Sequence, residues 1–220
     1  MAFGEKELTI DLPDNQSVEV VEGNFAPAIT DVEAAVKTAL QNPIGTPPLS
    51  KVVAAGDKVA IIVSDVTRQW VRHDLFLPVL LDELNEAGVP DSNIQLVVAL
   101  GAHRGHSDAE NIQNYGQKVL DRVSLIQSSA LNEADFKKIG TTSRGVDVCI
   151  NKNVLDADKV ILTGGIVYHS MAGFGGGRKS ILPGVSGYQS IQGNHRFCLS
   201  PVEGQGLNPN SAPGNLATND

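Results

Sequence analysis

A chain of 220 residues with 41% apolar and 19% charged side chains is too apolar and too weakly charged to stay disordered, and long enough to close a sizeable core. Its 17 basic and 25 acidic residues leave a net charge of -8 with no basic run, which argues against nucleic acid and anionic membrane surfaces as partners. Cys149 and Cys198 form no CxxC pair, the N-terminus has no basic start with an apolar stretch, and no run nears the roughly 20 apolar residues that span a bilayer; a reducing, cytoplasmic setting is expected.

In chain order, residues 7–12 and 17–21 alternate apolar and polar positions around Pro13-Asp14-Asn15 and predict a small N-terminal β-hairpin. Thr30-Asp31 offers helix caps, and 32–40 has helical spacing. The prolines of 42–48 exclude a helix there, and a short one is expected from Leu49. Residues 58–63 (KVAIIV) form a continuous β-branched run, as in a strand buried on both faces. Spacing predicts a helix over 76–86 and a second buried strand over 94–100 (IQLVVAL). Ser107 to Glu110 reads as a capping box opening a helix through Tyr115. Further strands are predicted at 123–127, 146–150 and 159–163, and a helix from Tyr188. This succession predicts an α/β fold, a mostly parallel sheet with helices on both faces. Residues 201–220, rich in Pro, Gly and Asn, read as a tail towards a further domain.

In parallel sheets, ligands sit beyond the carboxyl ends of the strands. The polar clusters 64–68, 101–107 and 164–180 all fall there. The densest is HSMAGFGGGRKSILPG, His169 to Gly184. Gly173, Gly175, Gly176 and Gly177 before Arg178, Lys179 and Ser180 suggest amides open to an anion, with a helix starting behind them. The segment is neither a Walker A loop nor a G-x-G-x-x-G fingerprint. Taken blandly, it is a glycine-rich turn with a solvated lysine. His103 follows a buried strand and suits proton transfer near neutral pH. His106 reads as a loop residue without a role, and His73, between Arg72 and Asp74, as part of a solvated face. His195, taken alone, is more often a structural or exposed imidazole than a metal ligand. From the residues themselves, the function stays open between an enzyme with an anion site and a non-catalytic nucleotide- or phosphate-binding module. A P-loop-like kinase or hydrolase is disfavoured, because no GK[ST] ending is present.

The segments SDVTR (64–68), GAHR (101–104), His169 to Gly184 and GNH (193–195) together resemble the nickel-pincer lactate racemase family, with NPIG at 42–45 in matching order. The resemblance implies that residues 1–200 form that family's N-terminal cofactor-binding domain, with 201–220 leading towards a C-terminal domain. It implies an isomerase: a racemase or epimerase of small 2-hydroxy acids. It implies nickel held by a pyridinium-3,5-bisthiocarboxylic acid mononucleotide, covalently joined to Lys179 and absent from material made without maturation enzymes. By residue match, His195 is the metal ligand and His103 and His169 are the acid/base pair. Asp65, Thr67 and Arg68 match positions near cofactor and substrate, and Gly175, Gly176, Gly177, Arg178 and Ser180 belong to the cofactor loop. Gln69-Trp70, Gly105-His106 and Val167-Tyr168 depart from the family pattern on the expected substrate side.

Overall fold

The computed structural model describes residues 2–3 and 6–217, and the chain divides into two units at Thr30/Asp31. In the first unit, β1 (Ala2–Phe3) pairs antiparallel with β2 (Lys6–Glu7). The hairpin is therefore shorter and earlier than the alternation over 7–12 and 17–21 predicts. The turn after Pro13 does form, with the Gln16 amide donating to the Pro13 carbonyl at 3.0 Å. Its flanks adopt no strand, and Ile10, Val18, Val20 and Val21 are exposed. A two-stranded ribbon needs a third strand or a helix under its apolar face. Among the described residues this unit contains neither.

The second unit opens with α1 (Val32–Gln41), whose Ala34 amide is capped by the Asp31 carboxylate at 2.9 Å, and α2 (Leu49–Val52). Then follow β3 (Val59–Ser64), α3 (His73–Glu86), β4 (Ile94–Gly101), α4 (Asp108–Tyr115), α5 (Gln117–Leu120) and β5 (Ser124–Ser129). β6 (Phe136–Thr141) pairs antiparallel with β7 (Asp147–Asn151), and α6 (Lys152–Leu155) leads into β8 (Lys159–Leu162). β9 (Tyr168–His169), β10 (Gly173–Phe174) and α7 (Tyr188–His195) complete the unit. Strands β5-β4-β3-β8 form one parallel sheet in that order.

Val59 to Val63 of β3 are at most 1% exposed, as the unbroken β-branched run requires of a central strand. Val59, Ile61 and Val63 pack with Leu77, Leu81 and Leu84 of α3, and Ala60 and Ile62 with Ile150, Val154 and Val185 on the other face. The predicted strands and helices of this unit are present with ends shifted by a few residues, and the capping box is formed by Ser107 and Glu110. β6 escapes the sequence pattern because five of its six residues are exposed, so no alternation marks it.

Two expectations change. No α-helix starts behind the glycines: Gly177–Ser180 is a short 3-10 turn. Leu182, preceding Pro183, is discouraged from continuing a helix. His73 is not on a solvated face; it is fully buried, while Arg72 and Asp74 pair outside at 2.9 Å. It shares the helical spacing of Leu77, Leu81 and Leu84, the stripe facing β3.

Burial pushes His73 down to about 4 from its ordinary 6.5. The unfolded chain therefore takes up this proton first, and stability is lost as pH falls from about 6.5 to about 4. The shift is worth on the order of 3 kcal/mol. Urea unfolding at pH 7 and pH 4.5 should show the loss, and His73→Phe should flatten it; an acid limb as steep in the variant contradicts the assignment. No helix among the described residues is long and apolar enough to cross a membrane.

Candidate active site

β3, β4 and β8 end side by side at Ser64, Gly101 and Leu162. The chain leaves β3 for β4 on one side and returns later to place β8 on the other, so the strand order reverses at β3. Such a point opens a crevice at the carboxyl ends. Here the crevice is a cleft of about 250 Å³. Asp65, Arg68, His103, His169, Lys179 and His195 all line it, with Gly175, Gly176 and Ser180. These nine candidate residues, spread over 131 positions of sequence from Asp65 to His195, thus converge on one site.

Asp65 follows β3 and is 2% exposed. One carboxylate oxygen accepts the Thr67 amide at 3.0 Å and the Thr67 hydroxyl at 2.5 Å. Arg68 donates to that hydroxyl at 2.7 Å. The other oxygen is hydrogen-bonded to Nδ1 of His103, on the loop after β4. Burial works to raise the Asp65 carboxyl. The hydrogen bonds from Thr67 and His103, with the charges of His103 and Arg68, outweigh it and hold Asp65 below the usual carboxylate range. An anionic carboxylate only accepts, so His103 carries a proton on Nδ1, and the neutral ring has its lone pair on Nε2.

His169 is arranged the opposite way. Its Nδ1 accepts the amides of Met171 and Ala172 at 3.2 and 3.1 Å. Burial first, then the charges of Lys179, Arg68 and His195, lower its pKa. At neutral pH it is uncharged and carries its proton on Nε2. The two imidazoles therefore present a proton acceptor at His103 and a donor at His169.

His195 ends α7, and its Nδ1 donates to the Ile191 carbonyl one turn back at 2.9 Å. The neutral ring then has its lone pair on Nε2, where it could ligate a metal, the usual way a second hydrogen bond fixes a ligating imidazole. Lys179 is half-buried; burial and then the charge of Arg68 push its ammonium down to about 8. Such an amine is partly neutral, hence nucleophilic, at working pH. Among the described residues, no three His, Cys, Asp or Glu side chains gather to hold a metal by themselves. One bare imidazole and one activated amine fit a metal whose other ligands come from a bound organic group.

Glycines seat the lysine turn. Gly176 has φ +71°, and a Cβ there would lie 2.7 Å from the Gly165 carbonyl. A Cβ on Gly184 would lie 2.7 Å from that of Ala99 on β4, and the Gly101 amide donates to the Gly184 carbonyl at 2.9 Å. The buried Ser180 hydroxyl donates to the Thr163 carbonyl at 3.2 Å, binding the turn to the exit of β8. Gly177 and Arg178 are exposed and lie outside the cleft lining. Thr67 is outside it too and acts through Asp65 and Arg68. Trp70 packs its ring where a Gly165 side chain would stand.

A second lobe of about 80 Å³ shares His169, Lys179 and His195 with the cleft and adds Arg144, Asn208, Asn210 and Ser211. The tail therefore folds back: the Gly214 amide also donates to the Gly173 carbonyl at 2.8 Å. Residues 218–220 lie outside the described residues. Sequence reasoning missed two histidines behind the site. His106, read as a loop residue without a role, accepts the Val66 amide at 3.1 Å and meets Asn111 Oδ1 at 3.1 Å. His73 accepts the Ser64 amide at 3.3 Å. The only sequence signal was the spacing of His73 with the α3 leucines; none marked His106.

A family model for the lactate racemase N-terminal domain matches residues 3–206. The chain is 34% identical over 214 residues to a lactate racemase of Thermoanaerobacterium thermosaccharolyticum, covering 95% of this chain and 50% of that one. It is 35% identical over 185 residues to a lactate racemase of Lactiplantibacillus plantarum, covering 84% and 42%. It thus spans about half the length of the curated relatives it matches. The structure of the lactate racemase apoprotein from T. thermosaccharolyticum superposes with a TM-score of 0.75 at 36% identity, covering 86% of this chain and 43% of that one. A Thermotoga maritima protein at 20% identity and TM-score 0.56 shares the fold, covering 74% and 39%. The chain belongs to the lactate racemase N-terminal domain family.

Proposed function

We propose that this chain is the cofactor-binding part of a cytoplasmic nickel-pincer racemase or epimerase of 2-hydroxy acids, with residues 1–200 as the binding domain and 201–220 leading towards a C-terminal domain. One observation carries the reading: His103, His169, Lys179 and His195 line a single cleft. Lys179 would hold the pyridinium mononucleotide through an amide-type bond, and His195 Nε2 would complete the nickel coordination. Imidazole and sulfur donors suit nickel. When bound, that group supplies a reversible acceptor for the hydride on the substrate's hydroxyl-bearing carbon.

The protein's own part is proton transfer and orientation. Bare Nε2 of His103 takes the substrate hydroxyl proton, and the Asp65 carboxylate stabilises the resulting imidazolium. Arg68, held by Thr67, pairs with the substrate carboxylate. The Nε2 proton of His169 is offered to the substrate oxygen from a second element. For His169 to act as base towards the opposite enantiomer, its proton must leave Nε2; shifting it to Nδ1 breaks both amide contacts. The departures at Gln69-Trp70 and Val167-Tyr168 leave the choice of 2-hydroxy acid open to a panel.

The test is chiral analysis of single enantiomers incubated with protein matured alongside the cofactor-making enzymes, over lactate, larger 2-hydroxy acids and sugar acids. Interconversion of at least one pair is expected. No interconversion by protein that includes the C-terminal domain and carries both nickel and the lysine adduct contradicts the reading.

A further inference from the structure

Asp65 can hold His103 only if its own backbone is held. β3 ends at Ser64, and the polypeptide must then turn the Asp65 carboxylate inward. The ladder reaches Ser64, which pairs with Ala99 of β4, and side chains add to that anchorage. The Ser64 amide donates to Nε2 of His73 at 3.3 Å, and its carbonyl accepts the Tyr115 hydroxyl at 2.8 Å and the Asn114 side-chain amide at 3.3 Å. On the far side of Asp65, the Val66 amide donates to Nε2 of His106 at 3.1 Å. His106 is clamped in turn: its main-chain amide and carbonyl both bond the Gln127 side chain, at 2.6 and 3.0 Å.

We propose that His73 and His106 are positioning residues: two uncharged imidazoles that accept the amides on either side of Asp65, and so fix the carboxylate that sets the proton on His103. The proposal rests on the reading of His103 as the base.

The chemistry constrains both rings alike. An imidazolium has no lone pair, so an imidazole that accepts an amide must be neutral and carry its proton on the other nitrogen. For His106 that proton, on Nδ1, goes to Asn111 Oδ1 at 3.1 Å. His73 is kept neutral by burial among Phe76 and Tyr115, with Asp74 the charged neighbour that opposes the shift. His73 Nδ1 and Asn114 Oδ1 are buried without partners. A buried donor left unpaired costs stability. An apolar side chain would fill the space beneath β3 at less cost, but could not receive the Ser64 amide. All five histidines of the chain thus serve one cleft, three lining it and two behind Asp65.

The test reads the His103 ring in the 220-residue chain by nitrogen-15 NMR, without turnover. In the native chain, His73, His103 and His106 should all show protonated Nδ1 and bare Nε2, and the His103 Nδ1 proton should be protected. His73→Leu and His106→Leu, which remove the acceptor, should speed exchange of that proton by about tenfold or more, the effect of one lost hydrogen bond. His73→Gln and His106→Gln, whose side-chain oxygen can take the amide, should restore protection. Folded leucine variants that keep the His103 signal overturn the proposal, as do folded glutamine variants that fail to restore it. Should His73→Leu not fold, the half-buried His106 pair decides; should neither leucine variant fold, the glutamine variants decide by the same criterion. Asp65→Asn serves as the reference for complete loss. Protein that never racemises yet passes these tests counts against the racemase reading and leaves the positioning role standing.

Discussion

Lys179 should acylate with a pH midpoint near 8, below the ordinary lysine value near 10.4. At pH 7 its neutral fraction is then roughly 200-fold that of an unperturbed lysine. The cause is partial burial in the cleft wall, with the guanidinium of Arg68 adding to it. The sign follows: desolvation and a like charge both disfavour the ammonium, so the free amine appears at lower pH. Arg68→Gln should move the midpoint upward, towards the ordinary value, and Lys179→Ala should remove the reactive site entirely. Competitive labelling with an acylating reagent across pH 6 to 11, read by peptide mass spectrometry, checks this. A Lys179 profile that overlays those of the surface lysines contradicts it.

Asp65→Asn should cost about three to four orders of magnitude in turnover in racemising protein that carries these residues, the scale seen when the carboxylate behind a catalytic imidazole is replaced by an amide. An asparagine presenting its NH₂ group would donate to Nδ1 of His103 and drive the proton to Nε2, the nitrogen that must be bare. It would also leave the Thr67 hydroxyl and the Arg68 guanidinium without the charge they converge on. The loss should fall on kcat more than on KM, since Arg68 remains to meet the substrate carboxylate. Steady-state kinetics of the variant tests this; a change of less than tenfold contradicts the assigned tautomer.

The sheet was readable because its two central strands, β3 and β4, are largely buried: 59–63 is an unbroken apolar run and 94–100 is broken only by Gln95, as central parallel strands require. β6 was unreadable for the converse reason, being exposed along nearly its whole length. The 7–12 and 17–21 alternation shows that a periodic pattern predicts a strand only where something lies beneath it. At the site, the chemistry-bearing residues were legible through motif order, above all in His169 to Gly184. Their protonation states were not. Those depend on which nitrogen meets Asp65, Met171, Ala172 or the Ile191 carbonyl, and three-dimensional placement decides that. His73 looked solvated because its sequence neighbours are charged, yet a helix turns each successive residue by about 100°, so neighbours need not share a face.

The most direct test is intact-mass and metal analysis of the chain after coexpression with the enzymes that make the cofactor. The expected result is an adduct on the peptide containing Lys179, with nickel bound in proportion to it. Lys179→Ala should lose both, and His195→Ala should keep the adduct while losing nickel. Nickel held equally well by Lys179→Ala, or an unmodified Lys179 in cells that load another member of the family, would contradict the convergence of these side chains on one prosthetic group.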